Sequence, residues 1–165
     1  MKLVVGLGNP EEKHAQNRHN VGFMFVDFFA QQLEEKDQQW RNKITILKPQ
    51  TFMNQSGEAV REQKNFFKIP LDDIFVAHDD LDLRLGEFKI QKGKGPHVHN
   101  GILSVEKELG AGNFYRIRIG VDNRDPENRL PGGNYVLANF TDEELATLQT
   151  IFPKIAQELL PYLAV

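Results

Sequence analysis

Cysteine is absent from the 165 residues. That absence excludes disulfides, thiolate metal sites and cysteine nucleophiles together. No apolar run approaches the roughly 20 residues that a membrane-spanning helix needs. The opening "KLVVGLG" is too short for the apolar segment of a signal peptide. Together these absences suit a cytoplasmic protein. Positive charge is not in excess: 20 Lys and Arg stand against 23 Asp and Glu, for a formal net charge of −3. That balance argues against a nucleic-acid partner unless the basic residues are gathered on one face. Repeats, low-complexity tracts and linkers are missing too, so a single domain over residues 1–165 is expected. No exposed apolar stripe announces a partner, so the expected state is a monomer. What is present is apolar mass: 40% hydrophobic residues, twelve of them Phe, enough for a sizeable core.

Periodicity orders these residues into alternating elements. Lys2 to Leu7 reads as a buried strand with β-branched Val4 and Val5. Val21, Met24, Phe25, Phe28, Phe29 and Leu33 recur at helical spacing between Asn20 and Glu35. Lys43 to Lys48 is a second strand. Ser56 is placed to cap a helix running to about Phe67, with Val60, Phe66 and Phe67 on its buried side. Asp73 to His78 and Glu87 to Gln91 are further strands, and Ile102 to Leu109 is a short helix. In "YRIRIGV" the alternation puts Ile117 and Ile119 on one face and Arg116 and Arg118 on the other, as in a half-exposed strand. Asp122 to Asn134 reads as a polar loop. Thr141 and Glu144 have capping-box spacing for a last helix from Asp142, which Pro153 is expected to kink or split. The pattern predicts an α/β three-layer sandwich: a mixed, mostly parallel central sheet with helices on both faces.

The turn "GLGNPEEKH" after the first strand raises a dinucleotide site, but Glu11 stands where that fingerprint needs its third Gly, and the next helix starts some ten residues later. The polar residues that follow are more informative. Asn9 ends the first strand, His19 lies in "NRHN" just before a helix, and Asn54 follows the second strand. Asp79 in "HDDLDL" follows the third strand, and Asn100 lies in a Gly-rich loop before another helix. Open α/β sheets place ligands at such strand ends. A neutral His can take a proton from water, a carboxylate on its other ring nitrogen fixes its tautomer, and Asn amides can hold a carbonyl oxygen as it becomes negative. A His before a helix is also an ordinary capping or surface residue, and His78 after an apolar run reads as half-buried structure.

Four blocks carry a resemblance: "VVGLGNP…RHNVGFMFVD", "ILKPQTFMNQSG", "VAHDDLDLRLG" and "HNGILSVEKELG…FYRIRIGV" resemble bacterial peptidyl-tRNA hydrolases, in order and over nearly the whole chain. The resemblance implies cleavage of the ester between a peptide and the 3′ ribose of tRNA, without metal or organic cofactor. It implies His19 as general base, Asp79 as its orienting partner and Asn9 as a positioning residue. Asn54 and Asn100 become amides that hold peptide backbone and water, Phe52 a groove-lining aromatic, and His14 a substrate-side residue where the family has Tyr. Lys89 and Arg118, with Lys92 and Lys94, become contacts for the acceptor stem. From Arg84 to Lys94 the cations indeed outnumber Glu87, while the last helical stretch is acidic.

The likeness has departures. Glu11 and Asn17 replace Gly and Thr. Lys94, His97 and Val98 stand where Gly is usual, which alters the Gly-rich loop. The stretch from Trp40 to Ile46 is short, and no C-terminal extension follows Pro161. Two rival readings are set beside it: a divalent-metal site from His97, His99, Asp79, Asp80 and Asp82, and a non-catalytic RNA-binding homologue that keeps the basic face.

Overall fold

The computed structural model describes residues 1–36, 40, 42–96 and 98–164. His97 and Arg41, on which two of the departures above bear, lie outside the described residues. Five strands form one sheet in the order β2-β1-β3-β5-β4. They are β1 (Lys2–Gly6), β2 (Ile44–Leu47), β3 (Ile74–Arg84), β4 (Phe88–Lys92) and β5 (Tyr115–Asp122). All neighbours run parallel except β4, which is antiparallel to β5. Alternation along β1 sends its side chains to two cores. Val4 joins Phe25 and Phe29 of α1 (Val21–Lys36) and Leu148 and Ile155 of α5 (Asp142–Leu163). Leu3 and Val5 join Val60 of α2 (Ser56–Phe67) and Val105 of α3 (Asn100–Leu109). Both faces of a parallel sheet are thereby covered, as its unbroken apolar strands require. The expected three-layer α/β architecture is the observed one.

Glycine sets the closeness of the layers at one point. A Cβ on Gly22 would sit 2.4 Å from the carbonyl oxygen of Ala77, so only Gly lets the start of α1 lie directly on β1 and β3.

Several local expectations are overturned. β3 does not stop at His78 but runs on to Arg84, because β5 continues beside it and pairs Asp79 with Ile119 and Asp80 with Gly120. β1 has already ended at Gly6, opposite Ala77. Asp79 is therefore inside a strand, yet one side of that strand has lost its neighbour. β5 is not half-exposed. Arg116 is buried between two loops and α3: it donates to the carbonyls of Gly95 at 2.9 Å, in the loop after β4, and of Phe114 at 2.8 Å and Gly112, just before β5, and pairs with Glu106 of α3 at 2.5 Å. Those partners replace the water it gives up.

In α2 only the first half meets the core. Ser56, Gly57 and Val60 are buried, whereas the last turn overhangs and leaves Phe66 78% and Phe67 37% exposed. Ser56 does not cap α2. Gln55 holds that position, and the Ser56 hydroxyl donates to the Met53 carbonyl at 2.8 Å. α5 is unbroken: Pro153 and Pro161 sit on its exposed side, so the carbonyls they leave unpaired face water. Its capping box forms as expected between Thr141 and Glu144. The polar stretch after β5 also contains a short helix, α4 (Gly132–Val136).

Candidate active site

His19 stands on a single 3₁₀ turn, Arg18–Asn20, immediately before α1. Its neighbours fix that turn from both sides. The Arg18 amide donates to the Ala138 carbonyl at 3.1 Å. The Arg18 guanidinium lies 3.9 Å over the Tyr135 ring, donates to the Tyr135 carbonyl at 3.1 Å, and pairs with the buried Glu144 at 2.7 Å. Glu144 thus caps α5 and anchors the histidine turn at once. Replacing Arg18 with Met strands a buried carboxylate, and a loss of about 3–5 kcal/mol in chemical unfolding is expected. On the other side Asn20 accepts from the Asn9 amide at 2.8 Å and donates to the Asn9 carbonyl at 2.9 Å, locking the two loops together. The Asn9 side-chain oxygen accepts from the Glu11 amide at 3.2 Å, which leaves its NH2 for a ligand.

Asp79 reaches the rim from β3 and is almost completely buried. One oxygen, Oδ2, lies 2.8 Å from His19 Nδ1, and the other, Oδ1, lies 2.8 Å from His99 Nε2. A carboxylate only accepts, so both rings donate to it. His99 is the N-cap of α3, where its Nδ1 accepts from the amides of Gly101 at 3.1 Å and Ile102 at 3.2 Å. With Nδ1 accepting and Nε2 donating, His99 is a neutral ring of fixed tautomer. It closes one side of Asp79 and caps a helix in the same act.

The electrostatics follow. Burial would raise the Asp79 carboxyl, but His19 and His99 outweigh it and hold the group well below the usual carboxylate range. Burial likewise works to lower His19, yet the charge and hydrogen bond of Asp79 win, so its pKa lies above 6.5. His78 is fully buried, not half-buried as its sequence position suggested. Burial pushes it down to about 3. Its Nδ1–H donates to the Asp79 carbonyl at 2.8 Å, which the end of β1 has left without a ladder partner on that side.

A cleft of about 500 Å³ opens over these groups. Asn9, His19, Asp79, His99 and Asn100 line one part of it. Met53, Leu81, Val98, Val136, Leu137 and the two glycines of α4 line the rest. Asn54, Phe52 and His14 are not brought into it. Asn54 and Phe52 are exposed on either side of Met53, and His14 Nδ1 accepts from Asn17 at 2.8 Å. The three Asn side chains therefore do not converge: Asn9 and Asn100 do, Asn54 does not. Lys89, Lys92 and Lys94 are exposed on or just after β4. Lys89 is paired in the ladder with Arg118, while Lys92 pairs with Asp72. Arg118 is largely covered, bonded to buried Asp80 at 2.7 Å and Gln91 at 2.8 Å.

The sequence set His99 beside Asp79 only as a candidate metal ligand; its part as N-cap of α3 and donor to that carboxylate was not anticipated. The signal was available: a His directly before a helix start, next to Asn-Gly, is placed to cap it. Reading α3 from Ile102 instead of Asn100 concealed it.

Clustered His19, Asp79 and His99 offer ligand atoms within 4.8 Å of one another. As bonded, they fit a cation poorly. Both Asp79 oxygens hold N–H groups and both His99 nitrogens are engaged, which leaves His19 Nε2 as a single open donor among the described residues.

No Ser, Thr, Tyr or Lys lines the cleft among the described residues. A three-layer α/β protein with a carboxylate-held imidazole at the floor of a cleft belongs, by class, with proteins whose site is built for proton transfer. Comparison with known proteins narrows the class. The sequence pattern of the family described as Peptidyl-tRNA hydrolase matches residues 3–164, and the chain belongs to that family. A peptidyl-tRNA hydrolase of Desulfitobacterium hafniense is 39% identical over 165 aligned residues, covering 93% of this chain and 88% of the relative. One from Geobacter sp. strain M21 is 42% identical over 159, covering 89% and 83%. The crystal structure of peptidyl-tRNA hydrolase from Acinetobacter baumannii superposes with a TM-score of 0.78 at 28% identity, over 99% of this chain and 92% of that one.

Proposed function

We propose that this protein hydrolyses the ester joining a peptide, or an N-blocked aminoacyl group, to the 3′ ribose of tRNA, and so recycles tRNA from stalled translation. One observation carries the reading: Asp79 holds the Nδ1–H of His19, so the proton-free nitrogen of the neutral ring is Nε2, at a cleft with no competing side-chain nucleophile among the described residues. Water in the cleft gives its proton to Nε2 as its oxygen attacks the acyl carbon. The carboxylate of Asp79 stabilises the imidazolium that forms. The amide NH2 groups of Asn9 and Asn100 are the cleft's donors for the carbonyl oxygen as it becomes negative. His19 then returns the proton to the ribose oxygen as the ester bond breaks, releasing a carboxylic acid and free tRNA. No metal or organic cofactor enters these steps.

Phe52 and Asn54, exposed on either side of the cleft residue Met53, are the proposed contacts for peptide beyond the reacting residue. Lys89, Lys92, Lys94 and Arg118 are the proposed contacts for acceptor-stem phosphates, and tRNA is the only partner required. The protein acts as a monomer in the cytoplasm on this reading. Among the described residues no helix is long and apolar enough to cross a membrane.

The test is release of N-acetyl-aminoacyl groups from tRNA by the unmodified protein. With four phosphate contacts, affinity is expected to fall about 10²-fold as salt rises from about 50 to about 200 mM. Lys89→Ala with Lys94→Ala should lower the slope of log affinity against log salt by about 2. Binding of tRNA with no release would instead identify a non-catalytic RNA-binding homologue.

A further inference from the structure

We propose that His78 is a positioning residue for the reaction: its ring stands in for a missing strand and holds Asp79 at the angle that His19 needs. This rests on the ester-hydrolase reading above and adds a residue to it. Backbone groups alternate in direction along a strand, so every second residue of β3 turns its amide and carbonyl toward β1. Ala77 is one of these, and its carbonyl accepts from the Leu7 amide at 3.0 Å. Asp79 is the next. The amide that would meet its carbonyl is that of Asn9, two residues beyond Leu7. That amide has left the sheet and donates to Asn20 Oδ1 at 2.8 Å instead. The departure brings Asn9 to the cleft, and it takes a ladder bond away from the residue that holds the base. A buried carbonyl needs a donor. His78 Nδ1–H supplies one to Asp79 at 2.8 Å.

Two further observations distinguish His78 from a side chain that only fills space. Its Nε2 is buried and has no hydrogen-bond partner among the described residues. A Leu or Phe would fill the same space without burying a bare nitrogen, so the ring serves for its Nδ1–H. The ring also lies edge-on against His99, with centroids 5.2 Å apart and planes at 64°. His99 in turn donates to Asp79 Oδ1 at 2.8 Å. His78 therefore supports Asp79 at both ends, the carbonyl directly and the carboxylate through His99. Burial keeps the pKa of His78 at about 3, far below that of His19, so the donor stays in place wherever the base is active.

The experiment compares His78→Leu with His78→Asn in the release of N-acetyl-aminoacyl groups from tRNA. Leu has no donor, whereas Asn can place an amide NH2 where the imidazole has Nδ1. The Leu variant is expected to lose about 10-fold or more in kcat with KM within about 2-fold, as a slightly misplaced reacting group does. The Asn variant should recover kcat to within about 3-fold of the unmodified protein. A role in packing alone predicts the opposite order, because Asn is the smaller side chain and leaves the larger void. A Leu variant that keeps more than about half of kcat, or an Asn variant no faster than the Leu variant, overturns the inference while the hydrolase reading stands. If either variant does not fold, nitrogen NMR of the unmodified protein decides. A neutral His78 ring with its proton on Nδ1 supports the inference, and a proton on Nε2 overturns it. Absence of release by the unmodified protein overturns the hydrolase reading itself.

Discussion

His19→Ala is expected to lower kcat for release of N-acetyl-aminoacyl groups from tRNA by about 10²–10⁴-fold, with little change in KM. The size follows from what is lost. Water loses its only well-placed proton acceptor, because the other polar groups of the cleft are spoken for. His99 has both nitrogens engaged, the Asp79 oxygens are closed by two N–H donors, and Asn9 and Asn100 carry amides that are not bases. KM should hold because the phosphate contacts proposed for Lys89, Lys92, Lys94 and Arg118 come from β4, β5 and the loop after β4, not from the histidine turn. The fold should hold too, since Arg18 and Asn20, not His19, anchor that turn. A variant that keeps a normal unfolding transition and more than about a tenth of the activity would refute the role of His19.

Asp79→Asn is expected to be comparably severe, up to about 10⁴-fold, although it changes no volume. An amide has one accepting atom where the carboxylate has two. His99 must donate through Nε2, because its Nδ1 already faces the amides of Gly101 and Ile102. The new oxygen therefore turns to His99 and the new NH2 turns to His19 Nδ1. That forces the proton of the neutral His19 ring onto Nε2, the nitrogen that should take one from water. The pH dependence supplies a second reading of the same variant. In the unmodified protein the base is active only when neutral, and Asp79 raises its pKa above 6.5. Activity should therefore fall as pH drops through a midpoint above 6.5. Without the carboxylate charge, burial acts alone and lowers the pKa. The His19 ring titration, followed by NMR, should shift to below 6.5. An Asn variant that keeps both its rate and its titration midpoint would remove Asp79 from the mechanism.

How much of this was legible in the chain varies with the range of the forces involved. Elements governed by local rules were readable: the capping box at Thr141 and Glu144, the apolar run of β1, and the helical spacing from Val21 to Leu33. Features settled by what packs opposite were not. Arg116 alternates like a solvent-facing residue, but a loop folds over it. Phe66 and Phe67 were expected on the buried side of α2, but its last turn overhangs the core and leaves both exposed. Pro153 carries a local signal to break a helix, and the helix survives because the unpaired carbonyl faces water.

The site divides the same way. Residue types and spacing along the chain determined the α/β class, nominated His19, Asp79, Asn9 and Asn100, and excluded thiol chemistry outright. Tertiary structure alone decided that the first strand ends two residues short of the level of Asp79, that His99 closes the second oxygen of that carboxylate, and that Asn54 stays outside the cleft. The physical reason is distance along the chain. Hydrogen bonds within a turn or helix are written in neighbouring residues, whereas His19 and Asp79 stand 60 residues apart and meet only because parallel strands and a close-packed helix bring their ends to one rim.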